Sequence, residues 1–233
     1  MATSHVPHHQ LRPRLPAPPP SCALSRRCAR CRTSAPAKVH MSFDAPPAAA
    51  AWLHRGARLG YEVVFFHDAD GGLRIEGCTT ATEDGQMWAV SFAINTDATW
   101  TTRSAQITGR SASGSRQITL DADGDGHWLV GGETASSLDG CLDVDLESSA
   151  MTNALPIHRM RLTVGSQASA PAVYIRAVDL AVERLEEHYT RVPDESPRQC
   201  YDYASPTFDY TGSLSFDKHG LALDYPGIAV RAG

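Results

Sequence analysis

From about residue 50 onward, apolar and polar side chains alternate with period two, and this pattern constrains the fold more than any other feature of the chain. Trp88, Val90, Phe92 and Ile94 point one way, while Ala89, Ser91, Ala93 and Asn95 point the other. Asp70-Gly71-Gly72 and Glu83-Asp84-Gly85 separate such runs and read as hairpin turns. Further strand candidates fall at Tyr61–Phe66, Ile118–Leu120, Trp128–Val130, Leu155–Val164, Val173–Val182, Leu214–Phe216 and Leu221–Val230. Only Asp179–His188 has a helical composition, and Val182 and the residues after His188 fit strands equally well. Strands spaced this regularly predict an all-β fold in one domain, residues 41–233, with one large antiparallel sheet curved into a barrel or half-barrel.

Residues 1–40 differ in kind. They carry Arg12, Arg14, Arg26, Arg27, Arg30, Arg32 and Lys38 but no Asp or Glu, and no apolar period runs through them. Such a segment cannot bury enough surface to offset its ordering entropy, so a disordered basic, Pro/Arg-rich tail is expected. It resembles an acid-free organellar leader, but the compositional break at Met41 favours translation starting there. Cys28 and Cys31 have CxxC spacing but lack the second pair that a zinc site wants. Cys78, Cys141 and Cys200 form no disulfide pattern, which points to a reducing, cytoplasmic setting.

Several function classes drop out. No apolar run approaches the roughly 18 residues of a membrane helix. A net charge of −5 gives no general attraction to nucleic acid. Nucleotide loops, nucleophile elbows and metal-ligand motifs are missing from the sequence, so no cofactor and no metal are expected. The scattered His127, His158, His188 and His219 read as surface or turn residues. Asp121–Gly126 resembles a calcium loop only until its twelfth position, Gly132, where a bidentate Glu is required, and reads as a turn.

The acidic run Asp139–Leu146 is more informative. On a strand Cys141, Asp143 and Asp145 share one face, and Asp143 and Asp145 have Cα atoms roughly 6.6 Å apart. An exposed acidic face is an ordinary amphipathic strand, whereas a lumenal one can do acid–base work or grip sugar hydroxyls. Downstream, Thr152 and Asn153 are turn or cap residues, Pro156 suits an edge or strand start, and Arg159 can return beside the acidic strand across a hairpin. Arg103 offers a second guanidinium. Such a cluster suits a polyol or anionic headgroup, and separate surface ion pairs are the plain alternative.

Gly140–Leu146 followed by Thr152–Arg159 resembles the signature of the putative glycolipid-binding family, whose members are mostly bacterial. Gly60-Tyr61-Glu62, Trp100–Arg103, Gly126-His127-Trp128, Tyr189-Thr190-Arg191 and Leu223–Gly227 agree in order, so that the resemblance spans about residues 52–231. It implies a curved all-β sheet similar to the half-barrels that carry lipoproteins between bacterial membranes. It also implies a polar cluster of Arg103, Asp143, Asp145, Thr152, Asn153 and Arg159. Ser149-Ala150-Met151 departs from the Thr-Pro-type pair of the pattern, and His158 replaces a second basic residue, which weakens anion binding at neutral pH.

Three functions remain open. The first is a soluble binding protein for a glycolipid or other amphipathic small molecule, its apolar group on the concave sheet and its headgroup on the cluster. The second is a glycoconjugate-acting enzyme with Asp143 and Asp145 as acid and base. The third is a purely structural polar network that fixes strand register.

Overall fold

The computed structural model describes residues 43–56 and 58–233. The expectations for residues 1–40, for Cys28 and Cys31 and for Met41 lie outside those residues. Six strands open the fold as a meander: β1 (Ala49–His54), β2 (Arg58–Ala69), β3 (Gly72–Glu83), β4 (Gln86–Asp97), β5 (Thr102–Ser111) and β6 (Gly114–Ala122). Short β7 (Trp128–Val130) and β8 (Glu133–Thr134) follow. Alternation is what forms them: in β4, Trp88, Val90, Phe92 and Ile94 are all buried. Asp84 and Gly85 both have positive φ (48° and 75°), the conformation that a two-residue hairpin matched to strand twist requires. Asp123 closes the β6–β7 turn by accepting from the Asp125 and His127 N–H groups at 2.7 and 3.1 Å. The calcium-like run is a turn, as its sequence indicates.

The later part contributes β9 (Asp143–Leu146), helix α1 (Ala154–Met160), β10 (Gln167–Ser169), β11 (Ala172–Ile175) and β12 (Val182–Leu185). A second meander completes it: β13 (His188–Glu195), β14 (Arg198–Ser205), β15 (Tyr210–Phe216), β16 (Ala222–Tyr225) and β17 (Ala229–Arg231). Fourteen strands form one antiparallel sheet in the order β10-β13-β14-β15-β16-β17-β1-β2-β3-β4-β5-β6-β7-β8. Its ends, β10 and β8, do not pair, so the sheet is a curved, unclosed half-barrel. No helix among the described residues is long and apolar enough to cross a membrane.

Three details differ from the sequence reading. A second sheet, β12-β11-β9, exists, and β9 and β11 pair in parallel. Residues 155–160 are helical rather than extended. Pro156 stands in the first turn of α1, where a missing N–H costs no intrahelical bond. The Asp179–His188 stretch turns at Leu180 (φ 58°) and continues as strand β12.

The second sheet and α1 cover the inner face of the large sheet. Val144, Leu146, Met151, Leu155, Val173 and Ile175 share one core with Val64, Ile75, Val90, Phe92, Ile94 and Ile107. The apolar space over β2–β5 is therefore filled by the chain itself, not left for a lipid tail. Packing there is close. An added Cβ on Gly77 would stand 2.2 Å from Cζ of Phe92, its cross-strand partner. Gly77→Ala is expected to cost about 1–3 kcal/mol through overpacking, measured by chemical denaturation. A loss near zero would mean that the ring swings aside freely.

Candidate functional site

Asp143 and Asp145 share a face of β9 as their spacing requires, and that face points into the protein rather than to solvent. Asp143 is fully buried and held by Arg159, whose Nε lies 3.1 and 3.2 Å from the two carboxylate oxygens and whose Nη2 lies 2.5 Å from Oδ2. Arg159 reaches it from the last turn of α1, not across a hairpin. Burial pushes the Asp143 carboxyl up, and Arg159 opposes this.

Asp145 accepts a 2.7 Å hydrogen bond from Thr152 Oγ1 and, among the described residues, has no cation in hydrogen-bond contact. Burial, and then the charges of Glu147 and Asp143, push it up to about 6 against the pull of Thr152. Beside Thr152, Asn153 Oδ1 accepts from the Tyr189 hydroxyl at 3.1 Å. Glu187, on the short link from β12 to β13, is buried and accepts from the Tyr203 hydroxyl at 2.6 Å. Burial and the negative charge of Asp145 raise its carboxyl well above the ordinary range.

The turn that presents Thr152 and Asn153 has its own support. Fully buried Glu62 on β2 accepts from Ser149 Oγ and from the Ala150 N–H, the latter at 2.8 Å. Thr79 Oγ1 donates to the Ser148 carbonyl at 2.7 Å. Ser149-Ala150-Met151, which departs from the family pattern, is thus fixed by the Glu of Gly60-Tyr61-Glu62.

Above Asp145 opens a pocket of about 360 Å³. Asp145, Ser149 and Asn153 line it, the last two buried and Asp145 half-buried. Tyr174, Tyr203, Phe208, Tyr210 and Tyr225 form its walls. Tyr203, Tyr210 and Tyr225 meet one another at centroid distances of 5.7–5.9 Å. At the rim, Arg58 is bound to Glu83 at 3.0 Å and neighbours Glu147, while Arg176 lies 3.6 Å from Glu147 and 3.4 Å from Glu183. Arg176 also stacks over Tyr174 and Phe208, at 5.2 and 5.4 Å.

Asp143, Asp145, Thr152, Asn153 and Arg159 are therefore brought together, but only Asp145 and Asn153 line the pocket. Arg103 is not part of the group. On β5 it is Thr102 that turns inward, its N–H on the Leu142 carbonyl at 3.0 Å and its Oγ1 receiving the Val144 N–H at 3.3 Å. Arg103 alternates outward, 3.9 Å from Asp97 and over Gly124. His158 also departs from expectation. It is buried, stacked 3.6 Å from the Trp100 ring and hydrogen-bonded to the His219 carbonyl. Burial lowers its pKa to about 4, so it supplies no positive charge near neutrality.

Sequence reading missed Glu187, Arg58, Arg176, Ser205 and the aromatic walls. One signal was available: apart from Tyr61 and Tyr174, every tyrosine falls between residues 189 and 225.

The chain was compared with known proteins. Residues 49–231 match the model of the family described as "Putative glycolipid-binding". A solved protein of a domain-of-unknown-function family (DUF1089) from Pseudomonas aeruginosa is 29% identical, covering 86% of this chain and 100% of its own, with a TM-score of 0.63. A beta-barrel-like protein of another domain of unknown function, from Brucella abortus, is 12% identical over 82% of this chain and 96% of its own, with a TM-score of 0.45. Among curated proteins no relative matches.

Proposed function

Because this chain belongs to the putative glycolipid-binding family, we propose that it binds the sugar-like headgroup of an amphipathic molecule in the pocket above Asp145. The observation that carries this reading is the composition of the pocket: aromatic walls around a carboxylate, an amide and a hydroxyl. Tyrosine rings cover the C–H faces of a sugar, and the carboxylate and amide take its hydroxyl protons. A volume of about 360 Å³ sits at the small end of ligand sites and suits a headgroup rather than an acyl chain. The apolar part then rests at the mouth, where Phe208 is exposed.

Asp143 plays a different part: bound by Arg159 and outside the pocket lining, it holds β9 against α1. That arrangement favours binding over acid–base catalysis by an Asp143–Asp145 pair. Cys78, Cys141 and Cys200 form no disulfide among the described residues, which supports a reducing cytoplasmic setting.

Titration with an octyl glycoside below its micellar concentration, followed by calorimetry, tests the reading. Saturable binding is expected, with octanol inert and Tyr203→Ala weakening affinity about tenfold, the value of one aromatic contact. Equal binding of octanol and glycoside would sink it.

A further inference from the structure

Resting on that reading, we infer that the headgroup carries a protonated amine, seated between Asp145, Ser205 and the tyrosine walls. Charge is the first argument. Asp143 and Glu187, buried, and Asp145, half-buried, form a group apart from Glu83 and Glu147, the lining carboxyls already paired with Arg58 and Arg176. Arg159 is the cation in hydrogen-bond contact with this group, and its bonds go to Asp143. Asp145 is left with the neutral hydroxyl of Thr152, and Glu187 with that of Tyr203. Arg58 and Arg176 stay at the rim in their own ion pairs, and Arg55, also in the lining, is exposed. An anionic ligand meets guanidiniums that are already engaged or solvated. A cation meets a carboxylate that lacks one.

The second argument is independent of charge. Ser205, at the end of β14, is 1% exposed, lines the pocket, and its Oγ has no hydrogen-bond partner among the described residues. A buried hydroxyl left unpaired has given up its hydration with nothing in return. An ammonium donor entering the pocket satisfies it. The walls add a third contribution, because the faces of Tyr203, Tyr210 and Tyr225 attract a desolvated cation.

The test compares three probes of equal chain length: octyl glucoside, octyl 2-amino-2-deoxyglucoside and its N-acetyl form. The groups that face Asp145 set the pH response: Asp143 on its own strand, Glu147 just beyond it, Thr152, Tyr174 opposite on β11, Glu187, Tyr189, Tyr203 and Tyr225. At pH 7 the amine is expected to bind at least about tenfold more tightly than the other two. At pH 5, where Asp145 takes up a proton, the preference should fall to within about threefold. Asp145→Asn, which keeps an acceptor for Thr152, should bring the affinities for the amine and the neutral glucoside at pH 7 to within about threefold of each other. Ser205→Ala should weaken the amine without lowering the Tm. Equal affinity for the three probes at pH 7 overturns this inference and leaves the headgroup reading standing. No binding of any probe overturns that reading as well.

Discussion

Replacing Arg159 by alanine is expected to cost about 3–5 kcal/mol of folding stability at pH 8, the usual penalty for breaking a buried ion pair from one side. The reason lies on the other side of the pair. Asp143 is 1% exposed, both its oxygens are bound by Arg159, and no other cation among the described residues reaches it. Stripped of its partner, the carboxylate can neither move to water nor find a substitute donor. Its remaining recourse is to take a proton, so the loss should shrink as the pH falls toward 5. Denaturant midpoints of wild type and variant at pH 8 and pH 5 measure this. A penalty under about 1 kcal/mol at both values would show that the pair does not hold β9 to α1.

A second large effect is expected in wild-type stability against pH. Burial, opposed by bonds from Ser149 and the Ala150 and Met151 backbone, raises Glu62 to about 7. Asp145 stands at about 6 and Glu187 higher than its ordinary value. In the unfolded chain these groups stay ionised until roughly pH 4. Between pH 8 and 6, therefore, the folded state binds protons that the unfolded state does not, and stability rises as the pH falls. Below about 6.5 the opposite sign enters. His54 and His158 are both lowered to about 4, chiefly by burial, so that they charge in the unfolded chain first. The Tm should peak between about pH 5.5 and 6.5 and decline on both sides. Glu62→Gln should flatten the alkaline limb, while a wild-type Tm that keeps rising to pH 8 would contradict the scheme.

The fold was legible where an apolar run alternates with polar or small residues. Strand β4 announces itself because Trp88, Val90, Phe92 and Ile94 turn inward between Ala89, Ser91, Ala93 and Asn95. Strands β3 and β5, rich in Thr, Ser and Gly, offer no such run, and β2 exposes Leu59, Tyr61 and Phe65 on its outer face. Helix α1 gave no such signal. Ala154 through His158 are all buried, so no 3.6-residue period survives, and Pro156 argued for an extended chain. Strand β11 is buried on both faces and reads as a plain apolar run, which hides its parallel pairing with β9.

The local signature groups Asp143, Asp145, Thr152, Asn153 and Arg159, and the fold brings these five together because β9 and α1 are near neighbours in sequence. The signature misplaced Arg103 by one residue of alternation: Thr102 faces the site and its neighbour cannot. Glu187, Tyr203 and Ser205 arrive through strand pairing alone, and no spacing rule connects them to β9.

The order of the large sheet has one more consequence. Strands β1–β8 are joined by successive hairpins, as are β13–β17, and the two meanders meet only where β17 lies beside β1. That seam consists of Trp52 opposite Arg231, Leu53 opposite Val230 and His54 opposite Ala229, with the Arg231 guanidinium resting on the Trp52 ring. Each half can form from its own neighbours, but the seam must close a loop of most of the domain, and synthesis delivers β17 after every other strand. The pocket straddles this junction. Arg58 and Glu83 come from one half, Tyr203, Tyr210 and Tyr225 from the other, and the Arg55 N–H is tied to the Ile228 carbonyl beside it. Anything held in the pocket would touch both halves, and the pocket is complete only in chains whose two ends have met.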